Sequence, residues 1–284
     1  MKHTGTFSGR CRLVVSDIDF TFVGADKAML PRNLQAVEDA RKAGVPFAIA
    51  TGRYWKGFRS FARELGLDCP QIADNGATIF DPVAERALVS HPMGEKALEL
   101  FFDSFREDGL IPVVGTSYDY YSTEMDGETN EILKLHNEFA IQMPENELRA
   151  LFGECIKITV YVTDAKVPKL RAAVAKAEER LRSQGIVFKG VFTEAGIYTA
   201  NAADVSKFMG VKDLCEIIGC APEDVLAVGD GDNDAEMLAG CGIGCAVANG
   251  TKAAKEAASM VVAACDQEGF ADAVYSVLEG KGLG

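Results

Sequence analysis

In the stretch RLVVSDIDFTFVG an apolar run stops on two aspartates spaced one apart, Asp17 and Asp19. Two further runs end the same way: VPFAIA leads into Thr51, and DVLAVG leads into Asp230, Asp232, Asn233 and Asp234. Lys207 stands just before a segment whose apolar positions, Phe208, Val211, Leu214, Cys215 and Ile218, have helical spacing. Three or more carboxylates meeting at one point repel one another, by about 4 kcal/mol for a like-charged pair at ~4 Å and an effective dielectric of ~20. A cation has to join them. Oxygen donors without histidine or thiolate suit a hard ion, and a few carboxylates completed by water suit Mg²⁺.

Each of these residues has a plainer reading when taken alone. An isolated DxD is a capped turn, Thr51 a helix N-cap, Lys207 a solvated lysine and Asp232 a turn residue; only their combination points to chemistry. A calcium loop over DGDNDAEMLAGC is excluded, because Ala235 and Cys241 stand where the loop needs Gly and Glu. Dinucleotide binding fits poorly, since Gly240 and Gly242 lack the third glycine at the required spacing.

Groups scattered this widely along the chain meet on one rim if the strands are parallel, because doubly wound sheets bind ligands outside the carboxyl ends of their strands. Both ends of the chain have that rhythm. RLVVSDID, VPFAIAT and QIADNGATIF read as buried strands. Between them lie a helix from Pro31, with Leu34, Val37 and Ala40 on its stripe and Gly44 as its stop, and a helix marked by Trp55, Phe58, Ala62 and Leu65 that stops at Gly66. After Lys207 come the strand DVLAVG, a helix to about Ala239, a strand at GCAVA, a helix from about Lys252, the strand MVVA and a last helix over GFADAVYSVLEG.

The middle of the chain differs. It reads as a helix over 95–106, LIPVVGT and YDYYST around a hairpin turn, a polar stretch over 124–147, the strand IKITVYV, a helix over 168–184 and the strand IVFKGVFT. The expected architecture is therefore α/β, with a doubly wound parallel core formed by residues 1–85 and 196–284 and an inserted α+β cap over 86–195.

Composition narrows the classes. At 284 residues, two domains are expected. A net charge of −13 repels nucleic acid, so an anionic substrate would need its own local positive charge. No apolar run approaches the roughly 20 residues of a membrane span, and MKHTGTFSGRCR lacks the apolar core of a secretion signal, so a cytoplasmic protein with no membrane partner is expected. The eight cysteines form no CxxC, and the pairs Cys215/Cys220 and Cys241/Cys245 have no neighbouring histidine, which favours thiols over a zinc site. His91 and His136 read as ordinary polar residues of the insertion.

DIDFT, ATGR, DVSK and GDGDND, in that order and with a large insertion between the second and third, resemble the haloacid dehalogenase-like superfamily. The match is with its Cof-like sugar phosphatase branch, and DNGA at 74–77 also fits. The resemblance runs from about Arg12 onward and implies a Mg²⁺-dependent phosphatase of small phosphorylated metabolites, sugar phosphates being the expected class. It implies Asp17 as nucleophile and Asp19 as general acid and base, with Thr51, Gly52, Lys207 and Asn233 on the phosphate. The metal would be held by Asp17, the backbone carbonyl of Asp19 and Asp230, with Asp234 completing or orienting its shell. Physical chemistry agrees, since a carboxylate attacking a phosphate dianion needs its charge cancelled by a cation and an ammonium. Two other readings remain open, a phosphosugar mutase and a non-catalytic sensor of phosphorylated ligands. Phe20 departs from the family pattern, where glycine most often follows the second aspartate. The expectation is a phenylalanine with φ below zero, its ring packed under the turn with Phe22; the alternative has the ring lining the pocket entrance.

Overall fold

The computed structural model describes residues 11–135 and 138–278, so His136 and most of the leading segment considered above lie outside the described residues. The chain divides into two compact units, one made of residues 11–53, 59–89 and 206–278, the other of 54–58 and 90–205. In chain order the first unit opens with β1 (Leu13–Ser16), α1 (Pro31–Lys42), β2 (Phe47–Ile49), α2 (Trp55–Glu64, whose first four residues count with the second unit), β3 (Gln71–Ala73), β4 (Thr78–Asp81) and β5 (Arg86–Ser90). The second unit follows with α3 (Glu95–Glu107), β6 (Pro112–Gly115), β7 (Tyr120–Ser122), α4 (Gly127–Leu135), β8 (Ala140–Gln142) and α5 (Glu145–Ala150). It continues through β9 (Lys157–Tyr161), α6 (Val167–Ser183), β10 (Phe188–Glu194) and β11 (Ile197–Ala202). The first unit resumes with α7 (Lys207–Ile218), β12 (Val225–Gly229), α8 (Ala235–Gly240), β13 (Ile243–Val247), α9 (Lys252–Ala257), β14 (Met260–Val262) and α10 (Gly269–Leu278).

The first unit is built on a parallel five-stranded sheet in the order β14-β13-β12-β1-β2. Its strands are apolar on both faces because both are covered. Leu13 and Val15 join the core shared with Val211 and Leu214 of α7 and Met237 and Leu238 of α8. On the opposite face Phe22 and Phe47 meet Phe270 of α10 at ring distances of 4.7 and 5.3 Å. Pro31 starts α1 as expected, but the inward face of that helix is Asn33, Ala36, Val37 and Ala40, and Leu34 is exposed. The Asn33 amide donates to the Phe22 carbonyl and accepts from the Ala271 amide, which turns the helix by one position from the apolar stripe. QIADNGATIF is two strands and not one: β3 and β4 pair antiparallel around a turn at Asp74–Gly76, and β5 adds a third strand.

The second unit carries a six-stranded sheet, β10-β11-β9-β6-β7-β8, antiparallel except between β7 and β8. Phe101, Phe102 and Phe105 of α3 and Leu170, Val174 and Leu181 of α6 pack on Ile158, Val160 and Ala200 of its strands. The opposite side of the sheet holds a smaller cluster in which Tyr54 stacks on Tyr120 at 4.2 Å. This unit ends at residue 205, beyond the expected 195, because β11 pairs with β10 and β9. The polar stretch over 124–147 contains α4, β8 and the start of α5, elements too short and too polar to show an apolar period.

Candidate active site

β1 lies between β12 and β2, so its carboxyl end opens beside theirs. Asp17 continues the β1 ladder, its amide donating to the Val228 carbonyl at 3.0 Å. Asp230 and Asp234 come from the loop after neighbouring β12, and Thr51 follows β2 on the other flank, with 2% of its surface exposed. Carboxylate oxygens of Asp17, Asp230 and Asp234 lie within 4.8 Å of one another, and this is the group among the described residues that meets the geometry of a metal site. The parallel register therefore brings together side chains more than 200 positions apart.

Lys207 reaches the cluster from the first turn of α7. Its ammonium donates to Asp17 Oδ1 and Asp234 Oδ1, each at 2.7 Å, and its side chain is wholly buried. Burial alone would lower its pKa, but the Asp17 and Asp234 carboxylates outweigh that and hold it above the ordinary lysine value. The Asp17 carboxyl is pushed up to about 7, first by burial and then by Asp234 and Asp230, against the opposing pull of Lys207. Asp230 is also raised by burial, although Thr21 Oγ1 donates to its Oδ1 at 2.8 Å. With all three carboxylates ionised, the single ammonium leaves an excess of two negative charges, which fits a divalent cation held by oxygen donors. Asp234 is the loop's own brace. Its Oδ2 accepts the amides of Asp230 and Gly231 at 3.0 and 2.8 Å. Gly229 permits this approach, since a Cβ there would meet the Asp234 side chain at 2.6 Å.

The Asp19 carboxylate lies outside that three-residue group and is gripped by two cations. Arg53 donates Nε to Oδ2 at 2.9 Å and Nη2 to Oδ1 at 2.7 Å, and Lys27 Nζ lies 2.5 Å from Oδ1. The two expectations for Phe20 are corrected. Its φ is +59°, in the left-handed region, and the residue is 48% exposed. Phe22 alone takes the buried place, against Phe47, Phe61 and Phe270. The strain at Phe20 costs roughly 1–2 kcal/mol, and the turn is held by Asn249, whose Nδ2 donates to the Phe20 carbonyl at 2.8 Å.

A family model described as haloacid dehalogenase-like hydrolase matches residues 14–274. The chain belongs to that family. This hydrolase is 30% identical over 267 residues to a phosphoglycolate phosphatase of Methanopyrus kandleri, covering 94% of this chain and 97% of the relative. It is 27% identical to the pyridoxal phosphate phosphatase YbhA of Escherichia coli, covering 94% and 98%. Its fold is that of a solved Plasmodium vivax chain described as a HAD/Cof-like hydrolase, with a TM-score of 0.80 at 20% identity over 98% of this chain and 99% of that one. The family and the phosphatase class that the ordered motifs imply are those of its relatives.

The hydrolase gathers the carboxylates of Asp17, Asp230 and Asp234, with Lys207 in direct contact with Asp17 and Asp234, and it links Thr51, Gly52 and Asn233 through a residue not singled out from sequence. Asn75 accepts from Asn233 Nδ2 at 3.0 Å, and its side chain lies against Gly52, where a Cβ would come within 3.2 Å of it. It does so from a left-handed backbone with φ +57°. The signal was the DNG triplet, whose residue types tolerate that conformation. Thr21 and Lys27 were also missed. Thr21 is fully buried against Asp230, as its place two residues after Asp19 permits, whereas nothing in the sequence marked Lys27.

Proposed function

We propose that this hydrolase is a Mg²⁺-dependent phosphatase of small phosphorylated metabolites, sugar phosphates among them, working through an aspartyl-phosphate on Asp17. The observation that carries the reading is the convergence of Asp17, Asp230 and Asp234 on one point, with the buried Lys207 bridging two of them. Asp17 attacks phosphorus as the ester oxygen departs, and Asp19 gives that oxygen a proton. Asp19 then takes a proton from water as the water oxygen attacks phosphorus and the bond to Asp17 breaks, releasing phosphate. Lys207, Thr51, the Gly52 amide and Asn233 hold the phosphate oxygens, and the bidentate Arg53 contact orients Asp19. Asp17, Asp230 and the Asp19 carbonyl, with Asp234 orienting the set, would hold Mg²⁺, which when bound would supply positive charge where the attacking carboxylate and the phosphate meet. The second unit, with its own sheet and core, is assigned to leaving-group selection.

Phosphate release should be measured over a panel of phosphate monoesters with Mg²⁺, after chelation and after Mg²⁺ is restored. Free phosphate as product, lost on chelation and regained, is expected. An isomeric phosphate ester in place of free phosphate would make the enzyme a mutase, and turnover unaffected by chelation would reject the metal assignment.

A further inference from the structure

We propose that Phe20 is a specificity-determining residue of this hydrolase, its ring taking the aromatic or apolar face of the leaving group beside Asp19. The inference deepens the phosphatase reading and rests on it. Glycine is the residue that a φ of +59° favours, yet a phenylalanine stands there with about half of its surface exposed, so packing does not explain it. Backbone strain without a packing return points to a use for the side chain. The conformation is fixed from behind, because Asn249 holds the Phe20 carbonyl with Nδ2 while its Oδ1 accepts the Cys265 amide at 2.8 Å.

The ring and the Asp19 carboxylate also share a neighbouring cation. Lys27 Nζ sits 5.2 Å from the ring centroid and 2.5 Å from Asp19 Oδ1. A leaving oxygen protonated by Asp19 must come within about 2.6–3.2 Å of that carboxylate. The carbons next to that oxygen then enter the neighbourhood of the ring. A polyhydroxy chain would give up water there for an apolar surface, whereas an aromatic or apolar skeleton gains contact. The class selected is a phosphate monoester with an aromatic or apolar carbon skeleton one or two bonds from the ester oxygen.

The test compares benzyl phosphate with a hexose 6-phosphate, both primary-alkoxide esters, in the wild type, Phe20→Gly and Phe20→Leu. The wild type should favour benzyl phosphate in kcat/KM, and that preference should fall about tenfold in Phe20→Gly and less in Phe20→Leu. Phe20→Gly should melt no lower than the wild type, which separates a change in preference from misfolding. An unchanged ratio, a wild type that prefers the hexose ester, or equal losses on both esters, as expected if Phe20 acts only by holding Lys27, would each overturn the inference. A wild type that releases phosphate from no ester would instead overturn the phosphatase reading beneath it.

Discussion

Lys207 and Asp17 share a hydrogen bond, but removing one does not mirror removing the other. Lys207→Met would leave the Asp17 and Asp234 carboxylates buried without their ammonium, a loss that costs about 3–5 kcal/mol in comparable buried pairs. A lowered melting temperature and a kcat reduced at least ~10²-fold are expected together. Asp17→Asn should abolish phosphate release while the fold persists or gains stability. The sign follows from the raised pKa of Asp17, about 7: the folded state binds its proton more tightly than the unfolded chain does. This group thus favours folding at low pH, and that contribution is lost as pH rises through about 7 in the absence of a cation. A neutral amide removes the cost. Thermal melts of both variants in chelator, beside single-turnover assays with Mg²⁺, would expose an error in either assignment; retained turnover in Asp17→Asn would dismiss it as nucleophile.

Among the elements, the turn between β3 and β4 sets where α7 begins. Gly76 has φ +98°, and a Cβ on it would lie 2.0 Å from the Ser206 carbonyl oxygen. Ser206 caps α7 by accepting the Met209 amide at 3.2 Å, and Lys207 is the next residue. Gly76→Ala is therefore expected to destabilise by at least about 1–3 kcal/mol from backbone strain alone and to lower kcat by shifting Lys207. Gly127→Ala, where an added Cβ has nothing within 4 Å, is the control; equal behaviour of the two in thermal melts and phosphate assays would dissociate the turn from the site. The same turn marks the limit of what the sequence disclosed. Asp17, Asp230 and Asp234 were legible because each follows an uninterrupted apolar strand, and Lys207 because an apolar helical stripe follows it. The turn was hidden inside QIADNGATIF, where a single polar DNG triplet interrupts an apolar run without saying that the chain reverses. Phe20 misled for the opposite reason, since residue type argues against a left-handed angle that the Asn249 tether nevertheless enforces.

At the scale of the whole molecule, the two units differ in how the chain supplies them. Nearly all of the second is one continuous segment, whereas the central pair of the first joins Leu13 to Val225 and Ser16 to Val228. Contacts this distant in sequence form slowly, because a long loop must close before they are rewarded. In refolding followed by pulsed hydrogen exchange, the β9 and β11 amides are expected to gain protection before those of β1 and β12; simultaneous protection would mean that the units fold as one. During synthesis the order is stricter still. β1 leaves the ribosome before the other strands of its sheet, and the carbonyl that accepts the Asp17 amide belongs to Val228, made only after the whole second unit. A nascent chain interrupted before β12 therefore already holds its attacking carboxylate but has no strand to hold it in place, so such a chain is expected to be inert, and no shortened product can act as a slow version of the enzyme.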